Sequence, residues 1–335
     1  MRAVVLVGGF GTRLRPLTST TPKQMLPIVG RPMIERVIEA LSRHGVTDAI
    51  LSLGYRPDAF LQAYPEDVCA GVRLHYAVEA EPLDTAGAVR FAAEEGGIDS
   101  TFLVVNGDVL TDLDIGELWR VHRERNAEGT IALTPVDDPS RYGVVPIDQH
   151  GRVEAFIEKP PPGEAPSHWI NAGTYVLEPS VLDRIPAGRR VSIERETFPA
   201  MVADRSLFAL QSDAYWVDAG TPATYLQVQL DLIDGVRGAP ERAIAASATV
   251  STQADVEHSV VMDGARIDAG ARVVDSAVLP GARICAGATV TRSIVGPDAV
   301  VGEGAVLDEL TVVGGAMTVD PGLKAHGARI PMETA

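Results

Sequence analysis

The 335-residue sequence predicts an α/β domain built on a doubly wound, mainly parallel sheet, followed by a solenoid of short stacked strands. Three observations carry this. Short apolar runs alternate with helix-patterned segments from the start of the chain to about residue 235. Helical periodicity then stops near Ile244, and beyond it apolar residues, Gly and Ala recur with a period of 17.

The strands are the runs Arg2–Val7, Ala49–Leu53, Arg73–Val78 and Thr101–Asn106, each short, apolar and rich in β-branched residues or leucine. Between them Met33–Arg43, Thr85–Glu94 and Gly116–Arg125 carry apolar residues at helical spacing. Strand and helix in strict alternation imply parallel strands joined by crossover helices, because a parallel pair cannot be closed by a tight turn. Ligands of such sheets bind beyond the carboxyl ends of the strands. The loops after the first, third and fourth strands hold the most unusual residues of the chain. A Gly- and Pro-containing stretch, Asp234–Pro240, then breaks the pattern. The expected organisation is a first domain over 1–235, a linker over 236–243 and a second domain over 244–325.

In the second domain Ile244, Val261, Val278, Val295 and Val312 form one column at the 17-residue period. Val250, Ile267, Ile284 and Val301 form a second, and Val256, Val273, Val290 and Leu307 a third. Gly270, Gly287 and Gly304, each followed by Ala, repeat at the same interval. Columns six residues apart place three short strands on each turn, so a rung buries its apolar face only against its neighbours. Hexapeptide-type periodicity of this kind resembles the left-handed β-helix.

Charge narrows the function. Lys plus Arg is 29 and Asp plus Glu 45, a formal net charge of −16. Nucleic acid is bound by basic surfaces that release counterions, so it is excluded as a partner. A small anion in a local basic pocket is not. Two cysteines are too few for a disulfide framework or a thiolate metal site. Met1-Arg2 runs directly into a strand-like segment, and no apolar run approaches the ~20 residues of a membrane span, so a cytoplasmic protein with no membrane partner is expected. Only three of the 29 basic residues are lysines, Lys23, Lys159 and Lys324. Where arginine is so favoured, a retained lysine points to a need for a compact ammonium.

Two of those lysines sit in motifs. Val7-Gly8-Gly9-Phe10-Gly11-Thr12-Arg13-Leu14-Arg15-Pro16-Leu17-Thr18 follows the first strand, and its glycines let backbone N–H groups approach phosphates while Arg13 and Arg15 add charged donors. Thr21-Pro22-Lys23-Gln24-Met25-Leu26-Pro27 comes next, with prolines flanking Lys23. Together the two segments resemble the signature of the sugar-1-phosphate nucleotidyltransferases, a family whose catalytic domain is Rossmann-like. Four further segments match in family order. They are Val105-Asn106-Gly107-Asp108, Phe156-Ile157-Glu158-Lys159-Pro160, Tyr142-Gly143-Val144 with Asn171-Ala172-Gly173, and Tyr215-Trp216-Val217-Asp218-Ala219-Gly220-Thr221-Pro222.

The resemblance implies that a sugar-1-phosphate attacks the α-phosphate of a nucleoside triphosphate and releases pyrophosphate. It assigns Arg13, Lys23, Asp108 and Asp218 to catalysis, with Mg²⁺ on Asp108 and Asp218. Val7, Gly8, Gly9, Gly11, Thr12, Arg13, Lys23, Glu79, Pro82, Asp84, Thr85 and Gly107 would bind nucleotide. Tyr142, Gly143, Glu158, Lys159, Asn171 and Gly173 would bind the sugar phosphate. Within the family the chain is most similar to the mannose-1-phosphate guanylyltransferases, which implies GDP-mannose made from GTP. The segment Pro22–Ile28 is nearer the glucose-1-phosphate thymidylyltransferases, the alternative reading.

Some members are non-catalytic regulatory subunits that bind nucleotide sugar. Intact Arg13, Lys23, Asp108, Lys159 and Asp218 argue against that here. An acyltransferase solenoid would need a catalytic histidine, for which only His258 and His326 are placed. One departure stands out. The base-recognition loop Glu79-Ala80-Glu81-Pro82-Leu83-Asp84-Thr85-Ala86-Gly87 has Asp84 where the family has Gly. Asp84 either caps the helix beginning at Thr85 or alters base selectivity. Asp112 and Asp114 are expected at a helix entry, Asp137-Asp138-Pro139-Ser140 in a turn, and Glu194 and Glu196 on a helix reaching toward the sugar site. The seven histidines lack metal-ligand spacing, Cys285 reads as packing, and the solenoid is expected to build a homo-oligomer.

Overall fold

The structure is a computed structural model that describes residues 1–54 and 57–331. Its backbone divides into two compact units. One comprises Met1–Gly9 and Glu35–Trp216, and the other Phe10–Ile34 with the chain from Val217 onward.

The first unit is the predicted α/β sheet. Its elements are β1 (Arg2–Leu6), α1 (Met33–Arg43, which begins just before the unit), β2 (Asp48–Leu53), β3 (Val72–Val78), α2 (Asp84–Glu95), β4 (Phe102–Asn106), α3 (Ile115–Arg125), β5 (Gly129–Pro135), β6 (Trp169–Leu177), α4 (Phe198–Ala203) and β7 (Leu207–Gln211). Each predicted strand and helix of this region is found within one residue of its expected ends. Strand order is β3-β2-β1-β4-β6. The first four strands are parallel, with Val4 opposite Ile50 on one side and Val104 on the other. β6 runs antiparallel to β4 and to β5, and β7 rejoins parallel to β5. The order reverses between β1 and β4, so the loops leaving these two strands diverge and open a crevice at their carboxyl ends.

Central strands buried on both faces explain why β1, β2 and β4 read as continuous apolar runs rather than alternating ones. α2 lays Ala86, Val89, Ala92 and Ala93 on the sheet, and these small side chains bring the helix axis close. Asp114 caps α3, its carboxylate accepting the Glu117 N–H at 3.1 Å, as expected of a helix entry. Asp138 does the same for a short turn through the Ser140 N–H at 3.0 Å.

The second unit contains α5 (Pro222–Ile233) and the solenoid. Thr221 and Thr224 form a reciprocal capping box at the start of α5, with Pro222 in the first turn. The buried Gln229 amide donates to the Pro27 carbonyl at 2.9 Å and accepts the Val29 N–H at 2.7 Å, and the Tyr225 hydroxyl also bonds Pro27. Residues 27–29 are thereby strapped to this helix.

Beyond it the strands stack in three parallel five-stranded sheets, one per side of the coil, consistent with a left-handed β-helix. Ile267, Ile284, Val301 and Val319 fill one inner column, and Val273, Val290 and Leu307 the next. A buried hydroxyl ladder that the apolar pattern did not reveal runs up one corner. The Ser259 Oγ accepts the Ser276 N–H at 3.0 Å, the Ser276 Oγ accepts the Ser293 N–H at 3.1 Å, and Thr311 accepts from Ala328 at 3.1 Å.

The expected register fails in the last coil. Val295 pairs with Val313, not with Val312, and Leu307 pairs with Ala325, a step of 18 residues. The extra residue lies at the corner, where Glu309 and Leu310 both take left-handed φ of 51° and 66°. Earlier corners use one such residue each, Asp275 at 48° and Arg292 at 42°. Among the described residues no helix is long and apolar enough to cross a membrane.

Candidate active site

In the first unit, the expected nucleotide-side residues gather at the carboxyl ends of β1, β3 and β4. Val7 continues β1 by donating its N–H to the Ser52 carbonyl at 3.1 Å, and Gly9 then takes φ 110°, where a side chain is strained. The Gly107 N–H bonds the Leu6 carbonyl at 2.9 Å. A Cβ on Gly107 would lie 2.6 Å from Val7 Cγ1 and 3.0 Å from the Leu6 oxygen. Only glycine therefore lets the turn carrying Asp108 approach the first loop this closely. Glu79 is buried, with Oε1 accepting the Ser52 hydroxyl and Oε2 the Leu83 N–H, both at 2.9 Å. Both its oxygens are thus committed to shaping the loop that carries Pro82, Asp84 and Thr85.

Asp84 departs from the expected cap. Its φ is 62°, the left-handed conformation that glycine would take, and its carboxylate accepts only the next N–H, that of Thr85, at 2.8 Å. The free amides of the first turn of α2 are satisfied elsewhere. Ala86 and Gly87 both donate to the Val191 carbonyl, at 2.9 and 3.3 Å. The Asp84 side chain tolerates the turn through a local bond, as short polar residues do.

The sugar-side residues occupy neighbouring strands of the same unit. Gly143 pairs with Glu158, and the Lys159 N–H bonds the Tyr142 carbonyl at 3.0 Å. Lys159 Nζ lies 3.4 Å from Glu158 Oε1 with its side chain 60% exposed, which leaves it able to reach a phosphate. β6 bulges between Asn171 and Tyr175. There the Asn171 amide donates to the Tyr175 hydroxyl at 2.8 Å and accepts the Gly173 N–H at 3.0 Å. Gly173 has φ 73°, and a Cβ on it would meet the Asn106 amide at 2.5 Å. Trp216 donates its indole N–H to the Ala172 carbonyl at 2.8 Å and meets the Tyr142 ring edge-on at 5.8 Å. Bulges of this sort re-aim side chains at sites.

The second unit carries Gly11, Thr12, Arg13, Lys23 and Asp218. Gly11, at φ 59°, accepts the Thr18 hydroxyl at 2.8 Å, and buried Leu14 and Leu17 anchor the turn between them. Arg13 Nη2 is 3.7 Å from Asp218 Oδ2, and Asp218 Oδ1 accepts the Gly220 N–H at 2.8 Å. A Cβ on Gly220 would fall 2.6 Å from Asp218 Oδ1 and 2.7 Å from Arg13 Nη2, so this glycine leaves room for the pair. Pro22 precedes a short turn, Lys23–Met25, that presents Lys23.

The nucleotidyl transferase family model matches residues 2–235. The chain belongs to the nucleotidyl transferase family. Members of this family generally use a divalent metal. A second model, described as the GMPPB C-terminal domain, matches residues 239–333. The chain is 46% identical over 232 residues to a mannose-1-phosphate guanyltransferase of Hypocrea jecorina, covering 68% of this chain and 62% of that one. It is 38% identical over 295 residues to a mannose-1-phosphate guanylyltransferase of Mycobacterium tuberculosis, covering 80% and 81%. Among solved structures it is similar to HddC from Yersinia pseudotuberculosis complexed with GMP-PN, at 31% identity and a TM-score of 0.59, over 68% of this chain and 97% of that one.

Within this family member, the contacts that sequence reading missed are the close approaches at Gly107, Gly173 and Gly220, and the full engagement of Glu79. Glu194 and Glu196 do lie on a helical segment, a π-helical turn over Ile193–Thr197 that leads into α4, but Glu194 turns to Thr85 on the base-side loop. His122 is buried between Thr130 and Glu178, and His258 sits between Asp234 and Asp275. Among the described residues no three His, Cys, Asp or Glu side chains cluster as a metal site.

Proposed function

We propose that the protein transfers a guanylyl group from GTP to mannose-1-phosphate, forming GDP-mannose and pyrophosphate, as a cytoplasmic homo-oligomer. The observation that carries this reading is the relation to the Mycobacterium tuberculosis guanylyltransferase, which spans four-fifths of both chains. We assign the transfer chemistry to residues 1–235, a linker to 236–243, and a supporting β-helix to 244–325.

The reaction forms a bond from the sugar-phosphate oxygen to the α-phosphorus and breaks the α–β bridge, with the electron pair leaving on pyrophosphate. The nucleophile is already an anion, so no residue need remove a proton. What the chain must supply is alignment and charge. Holding both anions in line is worth about 7–11 kcal/mol. Backbone N–H groups of the Val7–Thr12 loop bind phosphate oxygens, and Arg13 and Lys23 offset the triphosphate charge. Asp218, 3.7 Å from Arg13, orients the guanidinium. Lys159 holds the sugar phosphate, while Glu158, Asn171, Tyr142 and the backbone at Gly143 and Gly173 contact the sugar. Glu79 holds the base-side loop, with Pro82, Asp84 and Thr85 beside the base.

Asp108 and Asp218 offer hard carboxylate oxygens, the donor chemistry suited to Mg²⁺, which keeps several waters and takes few protein ligands. Bound magnesium supplies charge neutralisation on the α-phosphate.

The test is pyrophosphate release by purified protein from GTP, dTTP, UTP, ATP and CTP, each paired with mannose-, glucose- and N-acetylglucosamine-1-phosphate, with Mg²⁺ or chelator. A Mg²⁺-dependent signal dominated by GTP with mannose-1-phosphate is expected. Dominance of dTTP with glucose-1-phosphate would replace the substrates. Silence throughout, with nucleotide-sugar binding seen by calorimetry, would indicate a regulatory subunit.

A further inference from the structure

One stretch of chain, Arg189–Phe198, touches both the base-side loop and the strands that carry the sugar-side residues of the first unit. At its start Val191 exchanges main-chain bonds with the base-side loop. It donates to the Leu83 carbonyl at 3.0 Å and accepts from Ala86 and Gly87, so it stands in for the missing helix cap. Gly87 permits this, since a Cβ there would lie 2.8 Å from the Arg189 carbonyl.

The chain then enters the π-helical turn Ile193–Thr197, an uncommon conformation that recurs at functional sites. The Thr85 hydroxyl is used twice, accepting the Ile193 N–H at 2.8 Å and donating to Glu194 Oε2 at 2.9 Å. The same carboxylate oxygen also accepts the Ser192 hydroxyl at 3.0 Å. At the far end Phe198 meets the Tyr175 ring edge-on at 5.1 Å and the Phe156 ring at 5.6 Å. Tyr175 holds Asn171, and Phe156 precedes Ile157-Glu158. Burial, and then the nearby Glu194 charge, push the Tyr175 phenol up, so its hydroxyl stays a neutral partner for Asn171.

We propose that Glu194 is a positioning residue for the transfer reaction, acting through Thr85 to set the base-side loop against the strands that carry Glu158 and Asn171. This rests on the nucleotidyl-transfer reading above. Its chemical content is alignment. The two substrates are bound by different segments, and in-line attack needs their reacting atoms within about 3–3.5 Å, where an error of about 1 Å costs roughly 10²-fold in rate. A loosened Thr85–Glu194 link leaves each substrate its own contacts and degrades only their mutual placement.

The experiment compares wild type with Thr85→Ala, Glu194→Ala, the double variant, Glu194→Gln and Thr85→Ser, measuring kcat and both KM values by pyrophosphate release. Glu194→Ala should lose about 10- to 100-fold in kcat with both KM values within threefold, and Thr85→Ala should lose as much in kcat, with any further rise confined to the nucleotide KM. The double variant should be no worse than the poorer single one, because both remove one link. Glu194→Gln keeps the hydroxyl–acceptor bond and should stay within threefold of wild type, while Thr85→Ser restores the hydroxyl and should recover most of the kcat lost in Thr85→Ala. They also keep the test open should an alanine variant fail to fold, since loss of kcat in a folded Glu194→Gln would mean that the charge rather than the bond matters and would overturn the proposal. Additive losses, or an effect confined to one KM, would overturn it as well. A wild-type protein silent with every triphosphate removes the nucleotidyl-transfer reading and this inference with it. An active wild type with unaffected alanine variants removes the inference alone.

Discussion

Gly107→Ala is the sharpest test of how the fold shapes the site. The added methyl would sit 2.6 Å from Val7 Cγ1 and 3.0 Å from the Leu6 carbonyl oxygen. Carbon atoms in contact rest about 3.5–4.0 Å apart, so the neighbours must give by about 1 Å. Val7 is buried and Leu6 lies within a strand paired on both sides, so neither moves freely. Overpacking of this kind costs about 1–3 kcal/mol. The displacement falls on the turn that carries Asp108, where about 1 Å is worth roughly 10² in rate. Val7→Ala removes the closer of the two obstacles. Alone it deletes two buried methyl groups, a loss of about 1.6 kcal/mol at ~0.8 per group. The double variant Gly107→Ala/Val7→Ala should therefore be more stable than the sum of the single losses, by about 1 kcal/mol, and should regain part of the activity. Urea midpoints together with kcat from pyrophosphate release measure both quantities. Strict additivity, or a Gly107→Ala protein with wild-type kcat and midpoint, would refute the steric argument.

Four further outcomes are expected. Asp84→Gly should fall within about 1 kcal/mol of wild type, because release of the left-handed strain offsets the lost Thr85 bond, whereas Asp84→Ala keeps the strain and should lie about 1 kcal/mol below Asp84→Gly in urea unfolding. Ser276→Ala strips the buried Ser293 N–H of its acceptor and should cost about 1–3 kcal/mol, with faster hydrogen exchange at that amide. The Asp275 hydrogen bond, opposed by burial and reinforced by Asp234, holds the His258 imidazole above its ordinary value. The stability it adds is complete below the unfolded imidazole range near pH 6.5 and is lost as pH rises through the raised folded value, so urea midpoints should decline on the alkaline side and His258→Gln should flatten that decline. Asp108→Asn and Asp218→Asn should abolish Mg²⁺-dependent turnover, while Lys159→Ala should raise the KM for sugar phosphate more than that for nucleotide. Normal turnover in both asparagine variants would remove the metal assignment.

The alternation of strand and helix was legible because each parallel strand is buried on both faces and each helix on one, and both conditions are written locally in residue type. The phosphate-side motifs were legible because short-range spacing encodes them. What escaped were contacts between residues distant in the chain. Nothing near Gly107 announces Val7, nothing near Gly173 announces Asn106, and the π-helical turn at Ile193 is held by Thr85, more than a hundred residues away. The β-helix columns were readable up to Leu307, where a strict period assigned Val312 to a place that Val313 fills. Glu309 and Leu310 carry no turn signal of the Gly or Asn kind, so the extra corner residue is visible only in the backbone. The hydroxyl ladder went unseen for the opposite reason, since Ser259, Ser276 and Ser293 do repeat every 17 residues but a search for apolar columns passes over them.

The corner at Glu309 and Leu310 also bears on how such a chain can change length over evolutionary time. A solenoid accepts insertions of one whole coil because the added rung restores every column above it, and most smaller insertions would turn the inward face outward. Here one residue beyond the period is accommodated without turning a strand over, since two left-handed residues double back within the corner and return the next strand to its inner column. Corners are therefore the places where this repeat can take up fractional changes, and flat sides are where it cannot. Growth of the solenoid is quantised along its sides and continuous at its edges.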